Sequence, residues 1–274
     1  MDIKLILLDL DGTLLTSEKT LSRENRAALE KAAGRGIEIV PATGRFYRAI
    51  PEEVRSLDFV RYAVTVNGGQ IYDALEDKVL HRAEIPIGLA ERVFDRAETL
   101  PVLYDCFLDD HAYMTRRQYE MADDFVPDSF VRHAIKTLRE PVDDLRDFVR
   151  RQGRPLQKTQ MFFRDMDLRA KMLPILTREF PELAVTTSLP VNIELNIAAA
   201  TKGNALGFLC RHLGLDASQT MAFGDGSNDL SMLQAAGIGV AMGNAAPGLL
   251  AAADYVTRSN DDHGVAHAIE KFCF

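Results

Sequence analysis

Asp9 and Asp11 lie in the run Leu8-Asp9-Leu10-Asp11-Gly12-Thr13, where an apolar segment stops abruptly at two carboxylates and a turn. Side chains of a strand alternate, so both acids can leave on one side while Leu10 points to the other. Crowded carboxylates raise each other's proton affinity unless a cation or strong donors compensate, so the pair implies a proton, a metal or both. Alone, the motif suits a strand-to-turn cap equally well, with Asp11 and Gly12 simply making the turn.

Further polar clusters fall where strands should end: Thr43-Gly44-Arg45, Asn67-Gly68-Gly69, and Gly224-Asp225-Gly226-Ser227-Asn228-Asp229. Each has a plain alternative. Thr43-Gly44-Arg45 could be a helix-capping turn, and Asp225 with Asp229 a turn acid and a partner of a helix dipole. At the carboxyl ends of one parallel sheet, where ligands bind in open α/β folds, they would instead form one acidic mouth. Four carboxylates converging there call for a hard cation. Magnesium fits, because it takes oxygen ligands from few carboxylates and shares its shell with water and phosphate. Lys202 would add positive charge if it entered the mouth, although a lone Lys-Gly pair otherwise reads as surface.

The elements that must position these residues alternate in type. Strands are expected at Ile3–Leu8, Ile37–Val40 and Tyr62–Val66, with helices at Ser22–Ala33, N-capped by Ser22, and from about Phe46. The rhythm returns with a helix at Lys202–Leu213, strands at Thr220–Phe223, Ile238–Ala241 and Tyr255–Thr257, and a terminal helix. This alternation predicts an α/β fold, a doubly wound, Rossmann-like parallel sheet with right-handed crossovers. The middle of the chain breaks the pattern. Strands at Val102–Leu108, Lys158–Phe163 and Leu183–Thr187 and helices at Gly88–Leu100, Asp143–Arg151 and Asp167–Phe180 suggest an inserted α+β domain. The expected division is a core of residues 1–82 and 191–274 around an insert of residues 83–190.

Composition narrows the function. With 274 residues and 47% hydrophobic content the chain can build one or two compact domains. A net charge of −8 gives no footprint for nucleic acid. The apolar stretch Leu5–Leu8 is too short to span a membrane, and Asp2, Asp9 and Asp11 oppose a signal peptide, so a cytoplasmic protein with no membrane partner is expected. Cys106, Cys210 and Cys273 are few, odd in number and far apart, which supports neither a disulfide framework nor a metal knuckle. His263 and His267 have i, i+4 spacing but no third ligand. Gly237, Gly239 and Gly243 do not complete a dinucleotide fingerprint, which removes a nicotinamide enzyme. Nothing in the sequence fixes the oligomeric state.

With these clusters in order, the chain resembles the haloacid dehalogenase-like phosphohydrolases. Asp9-Leu10-Asp11-Gly12-Thr13-Leu14-Leu15 is similar to their first motif, Thr43-Gly44-Arg45 to the second, Lys202-Gly203 to the third, and Gly224-Asp225 through Asn228-Asp229 to the fourth. Asn67-Gly68-Gly69, Met242-Gly243-Asn244-Ala245 and Gly264-Val265-Ala266 echo the family elsewhere, so the likeness covers nearly the whole chain. The insert resembles the type IIB cap of the Cof-like branch, whose members dephosphorylate small phosphorylated metabolites.

The resemblance implies roles. Asp9 would be the nucleophile that forms an aspartyl-phosphate, and Asp11 the acid and base. Mg2+ would be held by the Asp9 carboxylate, the Asp11 backbone carbonyl, Asp225 and, partly through water, Asp229. Thr43, Gly44 and Lys202 would bind the phosphoryl group, with Asn228 orienting the site. Asp11, which the dehalogenases lack, favours hydrolysis of phosphate monoesters. A sugar phosphomutase would use the same acids, and a catalytically silent phosphometabolite-binding protein is the non-enzymatic alternative. Gly226-Ser227 and His263 depart slightly from the family pattern. In the cap, Arg116, Arg117, His133, Lys158 and Arg164 could meet a polar or anionic leaving group, or simply be solvated.

Overall fold

In the computed structural model, which describes residues 2–274 (Phe130 by its backbone alone), Leu5–Leu8 form a strand whose four side chains are all buried. Alternate residues enter different cores. Ile6 and Leu8 pack with Leu29, Val265 and Ile269, whereas Leu5 and Leu7 pack with Leu206, Leu209 and Leu233. A strand covered on both faces must be apolar throughout, which is why this run carries no alternation. Each such side chain contributes about 2 kcal/mol by leaving water.

The strands in chain order are β1 (Leu5–Leu8), β2 (Glu38–Pro41), β3 (Tyr62–Thr65), β4 (Gln70–Asp73), β5 (Lys78–Arg82), β6 (Val102–Leu108), β7 (His111–Thr115), β8 (Arg139–Val142), β9 (Lys158–Phe163), β10 (Leu183–Thr186), β11 (Asn192–Ile197), β12 (Thr220–Gly224), β13 (Ile238–Ala241) and β14 (Tyr255–Val256). Two compact units result, one built from the segments up to His81 and from Ala200, the other from Arg82–Ala199.

The first unit holds a parallel sheet of order β14-β13-β12-β1-β2. Helices Arg23–Ala33 and Gly264–Cys273 cover one face, and Lys202–Leu213 and Leu230–Ala235 the other. Ser22 caps the first of these, its Oγ accepting the Asn25 N–H at 3.2 Å, and Gly36 at φ 78° turns the chain back toward β2. The sheet reverses its winding between β1 and β12, so their carboxyl ends make the switch point.

One local expectation fails here and a second holds only in part. The helix expected from Phe46 is only a 3-10 turn, Tyr47–Ala49, followed by the short helix Glu52–Arg55. Pro51 explains the break: it holds the preceding Ile50 extended at ψ 129°, and a helix cannot propagate through that residue. The strand β3 meets the chain just after β2 in the expected parallel sense, at the bridge Ala42–Val64 with the Thr43 N–H donating to Val64 O at 2.9 Å, but its longer ladder is the antiparallel one with β4.

The second unit is a six-stranded sheet of order β10-β11-β9-β6-β7-β8, antiparallel except for β7 with β8. Phe94, Val149, Met161, Leu176 and Ile193 pack on one face, and Leu103, Met114, Phe162 and Ile135 on the other. The structure corrects the expected insert of 83–190. Strand β11 pairs with β9, Asn192 opposite Phe162, so the chain returns to the first unit after Ala199 rather than after Pro190. The outward crossing falls after His81.

Candidate active site

The site grows from the end of β1. Asp9 continues the ladder, its N–H donating to Phe223 O at 3.0 Å, and its side chain is buried. The turn that follows takes Gly12 to φ 83°, and a Cβ there would stand 2.5 Å from Asp225 Oδ2, so any other residue would be strained and would push that carboxylate aside. Thr13 Oγ1 donates to Asp225 Oδ1 at 2.9 Å, which ties the first acidic loop to the loop after β12. In that second loop the N–H groups of Asp225 and Gly226 both donate to Asp229 Oδ2, at 3.0 and 2.9 Å.

Lys202 opens its helix just after the N-cap Thr201, and its side chain is fully buried. Lys202 thus enters the mouth rather than lying at the surface, as a lone Lys-Gly pair would: Nζ lies 2.6 Å from Asp9 Oδ1 and 2.6 Å from Asp229 Oδ1. Oxygens of Asp9, Asp225 and Asp229 all fall within 4.8 Å of one another. One ammonium cannot neutralise three carboxylates in so small a volume. Burial, together with Asp229 and Asp225, pushes the Asp9 carboxyl well above its ordinary range against the pull of Lys202. Burial and then Asp229 raise Asp225 to about 6. Burial alone would lower Lys202, but Asp229 and Asp9 outweigh it and raise its proton affinity. An all-oxygen donor set with excess negative charge is what a hard divalent cation requires.

Three carboxylates converge, not the four expected. The side chain of Asp11 turns instead to Arg45, which donates from Nε to Oδ2 and from Nη2 to Oδ1, both at 2.8 Å. Lys19 Nζ approaches Oδ1 at 3.0 Å. Burial would raise this carboxyl, but Arg45 and Lys19 override it and hold it at about 2.

Thr43 is buried at the end of β2, its Oγ1 accepting the Arg45 N–H at 3.1 Å, and its carbonyl accepts the Asn67 N–H at 3.0 Å. Asn228 Nδ2 donates to Asn67 Oδ1 at 3.1 Å, and a Cβ on Gly44 would lie 2.8 Å from that same oxygen. Thr43, Gly44 and Asn228 are thus brought together through Asn67, whose φ of 58° lets it sit in the tight turn after β3.

Several supporting residues had no assigned role from sequence. Arg45 and Lys19 hold Asp11. Asn244 Nδ2 donates to Gly12 O at 2.8 Å and its Oδ1 accepts the Asn260 N–H at 3.0 Å, while Asn260 Nδ2 donates to Leu15 O at 2.9 Å. Arg45 and Asn244 stood within recognisable motifs, but Lys19 and Asn260 carry no local signal. His263 and His267 do not join a metal group; among the described residues only Asp9, Asp225 and Asp229 form one. In the second unit, Lys158 is not solvated but buried in an ion pair with Glu194 at 2.9 Å. Among the described residues, no helix is long and apolar enough to cross a membrane.

Known proteins share both sequence and fold with this chain. The family model described as haloacid dehalogenase-like hydrolase matches residues 6–269. The 5-amino-6-(5-phospho-D-ribitylamino)uracil phosphatase YcsE of Bacillus subtilis is 32% identical over 274 aligned residues, covering 98% of this chain and 95% of that protein. A solved haloacid dehalogenase-like hydrolase from B. subtilis superposes with a TM-score of 0.84 at 30% identity, covering 98% of this chain and 100% of that one. A haloacid dehalogenase subclass IIB sugar phosphatase superposes with a TM-score of 0.82 at 25% identity, covering 98% and 99%. Because sequence and fold agree over nearly its whole length, the chain belongs to the haloacid dehalogenase-like hydrolases.

Proposed function

We propose that the protein is a magnesium-dependent phosphatase that hydrolyses phosphate monoesters of small metabolites through an aspartyl-phosphate on Asp9. The observation that carries this reading is the contrast between two acids of one strand end. Asp9 lies in a carboxylate group suited to a cation, while Asp11 is held apart by Arg45 and Lys19.

Asp9 attacks phosphorus through a carboxylate oxygen as the bond to the leaving oxygen breaks, and Asp11 delivers a proton to that oxygen. Asp11, now ionised, takes a proton from water as the water oxygen attacks the phosphoryl group. Phosphate departs and Asp9 is regenerated. Acid-base assistance of this kind is worth about 100- to 10,000-fold. In the arrangement described, Arg45 and Lys19 keep Asp11 ionised, the form required of the base. Acting first as an acid requires it to exchange part of that contact for the substrate. Asp9, Asp225 and Asp229, with the Asp11 carbonyl, would hold Mg2+, whose charge would offset that of the phosphoryl group. Thr43, Gly44 and Lys202 bind the phosphoryl oxygens, and Asn228 orients them. Lys202 is charged and desolvated, so it needs little reorganisation to do so.

We assign leaving-group recognition to the inserted unit. The names of similar proteins supply the candidate classes, a phosphoribityl-pyrimidine from YcsE and a sugar phosphate from the subclass IIB enzyme. Three free thiols, Cys106, Cys210 and Cys273, support action in the reducing cytoplasm.

The test is phosphate release from a panel of both classes with Mg2+, repeated with EDTA and with Asp9→Asn. Activity is expected to disappear in both repeats; release that survives either one rejects the mechanism. Isomerised phosphosugar without free phosphate would identify a mutase, and binding without turnover a silent binding protein.

A further inference from the structure

Asp9 and Asp11 leave one strand end, yet of the two only Asp9 joins Asp225 and Asp229 in a group whose oxygens lie within 4.8 Å of one another. The difference is made by Arg45. Its Nε and Nη2 take both oxygens of Asp11, its Nη1 donates to Ala49 O at 2.9 Å, and its backbone N–H donates to Thr43 Oγ1 at 3.1 Å. The residue is therefore held both at its backbone and at its guanidinium. A side-on guanidinium–carboxylate pair sets the plane of the carboxylate as well as its distance.

Lys19 reinforces the same oxygen. It sits in a turn closed by its own N–H to Thr16 O at 2.8 Å and by the Thr16 N–H to Thr20 O at 2.9 Å. There it adopts φ 63°, a conformation that non-glycine residues keep where the surroundings enforce it. Two cations anchored in separate loops thus converge on one carboxylate beside a group of three others. Without them, an acid two residues from Asp9 would be drawn to any hard cation in that group, because such ions accept whichever carboxylate oxygens can reach them.

We propose that Arg45, assisted by Lys19, is a positioning residue that keeps the Asp11 carboxylate out of the metal-binding group and so reserves it for proton transfer. This deepens the phosphatase reading and rests on it, since that reading gives Asp11 its proton-transfer role. Arg45 exerts this effect through Asp11 and need not touch the substrate.

The test is calorimetric binding of Mg2+ alone to the full chain without substrate. Arg45→Ala is expected to bind Mg2+ more tightly, by roughly tenfold, the scale on which neighbours of metal ligands shift affinity. The gain should vanish in the double variant Arg45→Ala/Asp11→Asn, which has no carboxylate to recruit. In turnover, an alkyl phosphate should lose about 100-fold in kcat. p-Nitrophenyl phosphate, whose leaving group departs without a proton, should lose much less. Unchanged or weaker affinity in folded Arg45→Ala overturns the proposal, as does a gain that survives Asp11→Asn. If Arg45→Ala does not fold, Lys19→Ala is read in the same way: tighter binding supports the proposal and unchanged binding overturns it. Failure of the phosphatase reading looks different. It appears as no phosphate release by the unaltered chain, or as turnover that survives Asp9→Asn, whatever the Mg2+ affinities.

Discussion

Nζ of Lys202 lies 2.6 Å from Oδ1 of Asp9, joining residues 193 positions apart in the chain, and the lysine is wholly buried. A desolvated ammonium is stable only with its counter-ions, and the same contact lowers the repulsion among Asp9, Asp225 and Asp229. The pair therefore bears on stability as well as on chemistry.

Replacing Lys202 with Met would leave three buried or half-buried acids without their internal cation. We expect a loss of about 3–5 kcal/mol, the usual cost of breaking a buried pair from one side. Urea denaturation checks this, and added Mg2+ should recover part of the loss. A variant as stable as the parent in EDTA would show that the pair is energetically idle.

The pH dependence has a defined sign. Asp225 titrates at about 6 in the folded chain and near 3.8 unfolded, and Asp9 is raised in the same direction. Between those values the folded state binds more protons than the unfolded one, so these acids make stability fall as pH rises through about 6. A divalent cation competes with those protons. The rise in Tm on adding Mg2+ over EDTA should therefore be small at pH 5 and grow toward pH 7. A metal-induced shift that is the same at both values would contradict the shared site. Asp11 acts oppositely: held at about 2, it contributes stability above its unfolded value of 3.8, lost as pH falls through 2.

Gly12→Ala tests the close approach of the two acidic loops. The new Cβ would meet the Asp225 carboxylate at 2.5 Å in a backbone conformation of φ 83°. We expect a cost of roughly 1–2 kcal/mol from the left-handed conformation alone, and weakened Mg2+ binding because Asp225 must move. Titration calorimetry with Mg2+ that returned the parental affinity would refute the packing argument.

Ser22→Ala removes the cap of the helix Arg23–Ala33, where Ser22 Oγ accepts the Asn25 N–H. A loss of about 1 kcal/mol is expected. Because this contact lies outside the catalytic group, kcat/KM measured at a temperature where the variant remains folded should match the parent. A large kinetic defect would mean that the helix positions the first acidic loop more tightly than its contacts imply.

Local sequence determined much of this protein. The unbroken apolar run of β1, the Ser22 cap, the helix Lys202–Leu213 and the polar residues at strand ends all follow from short-range rules, because strand and helix periodicities are written within a few residues. The helix Arg116–Phe125 escaped because its apolar side is short, Tyr119, Ala122 and Phe125, with only Ala122 fully buried. The short edge strand β8 contains Pro141 and likewise lacks a strand pattern, whereas β11 alternates Asn192, Glu194 and Asn196 with Ile193, Leu195 and Ile197, a legible strand signal whose place in the inserted sheet is set by its pairing with β9.

Tertiary structure decided which charges meet. Residue types alone allow a lone Lys202-Gly203 pair to be surface and Asp11 to be a fourth acid of the mouth; the family resemblance gives Lys202 to the phosphoryl group and the Asp11 carboxyl to proton transfer, but neither names the side chains that hold them. In the fold, Lys202 is buried between Asp9 and Asp229, while Arg45 and Lys19 turn Asp11 away from the other acids. Residue types announce that acids and cations are present near strand ends. Their pairing depends on distances of a few ångströms between loops remote in the chain, and electrostatic energies change most steeply at that range.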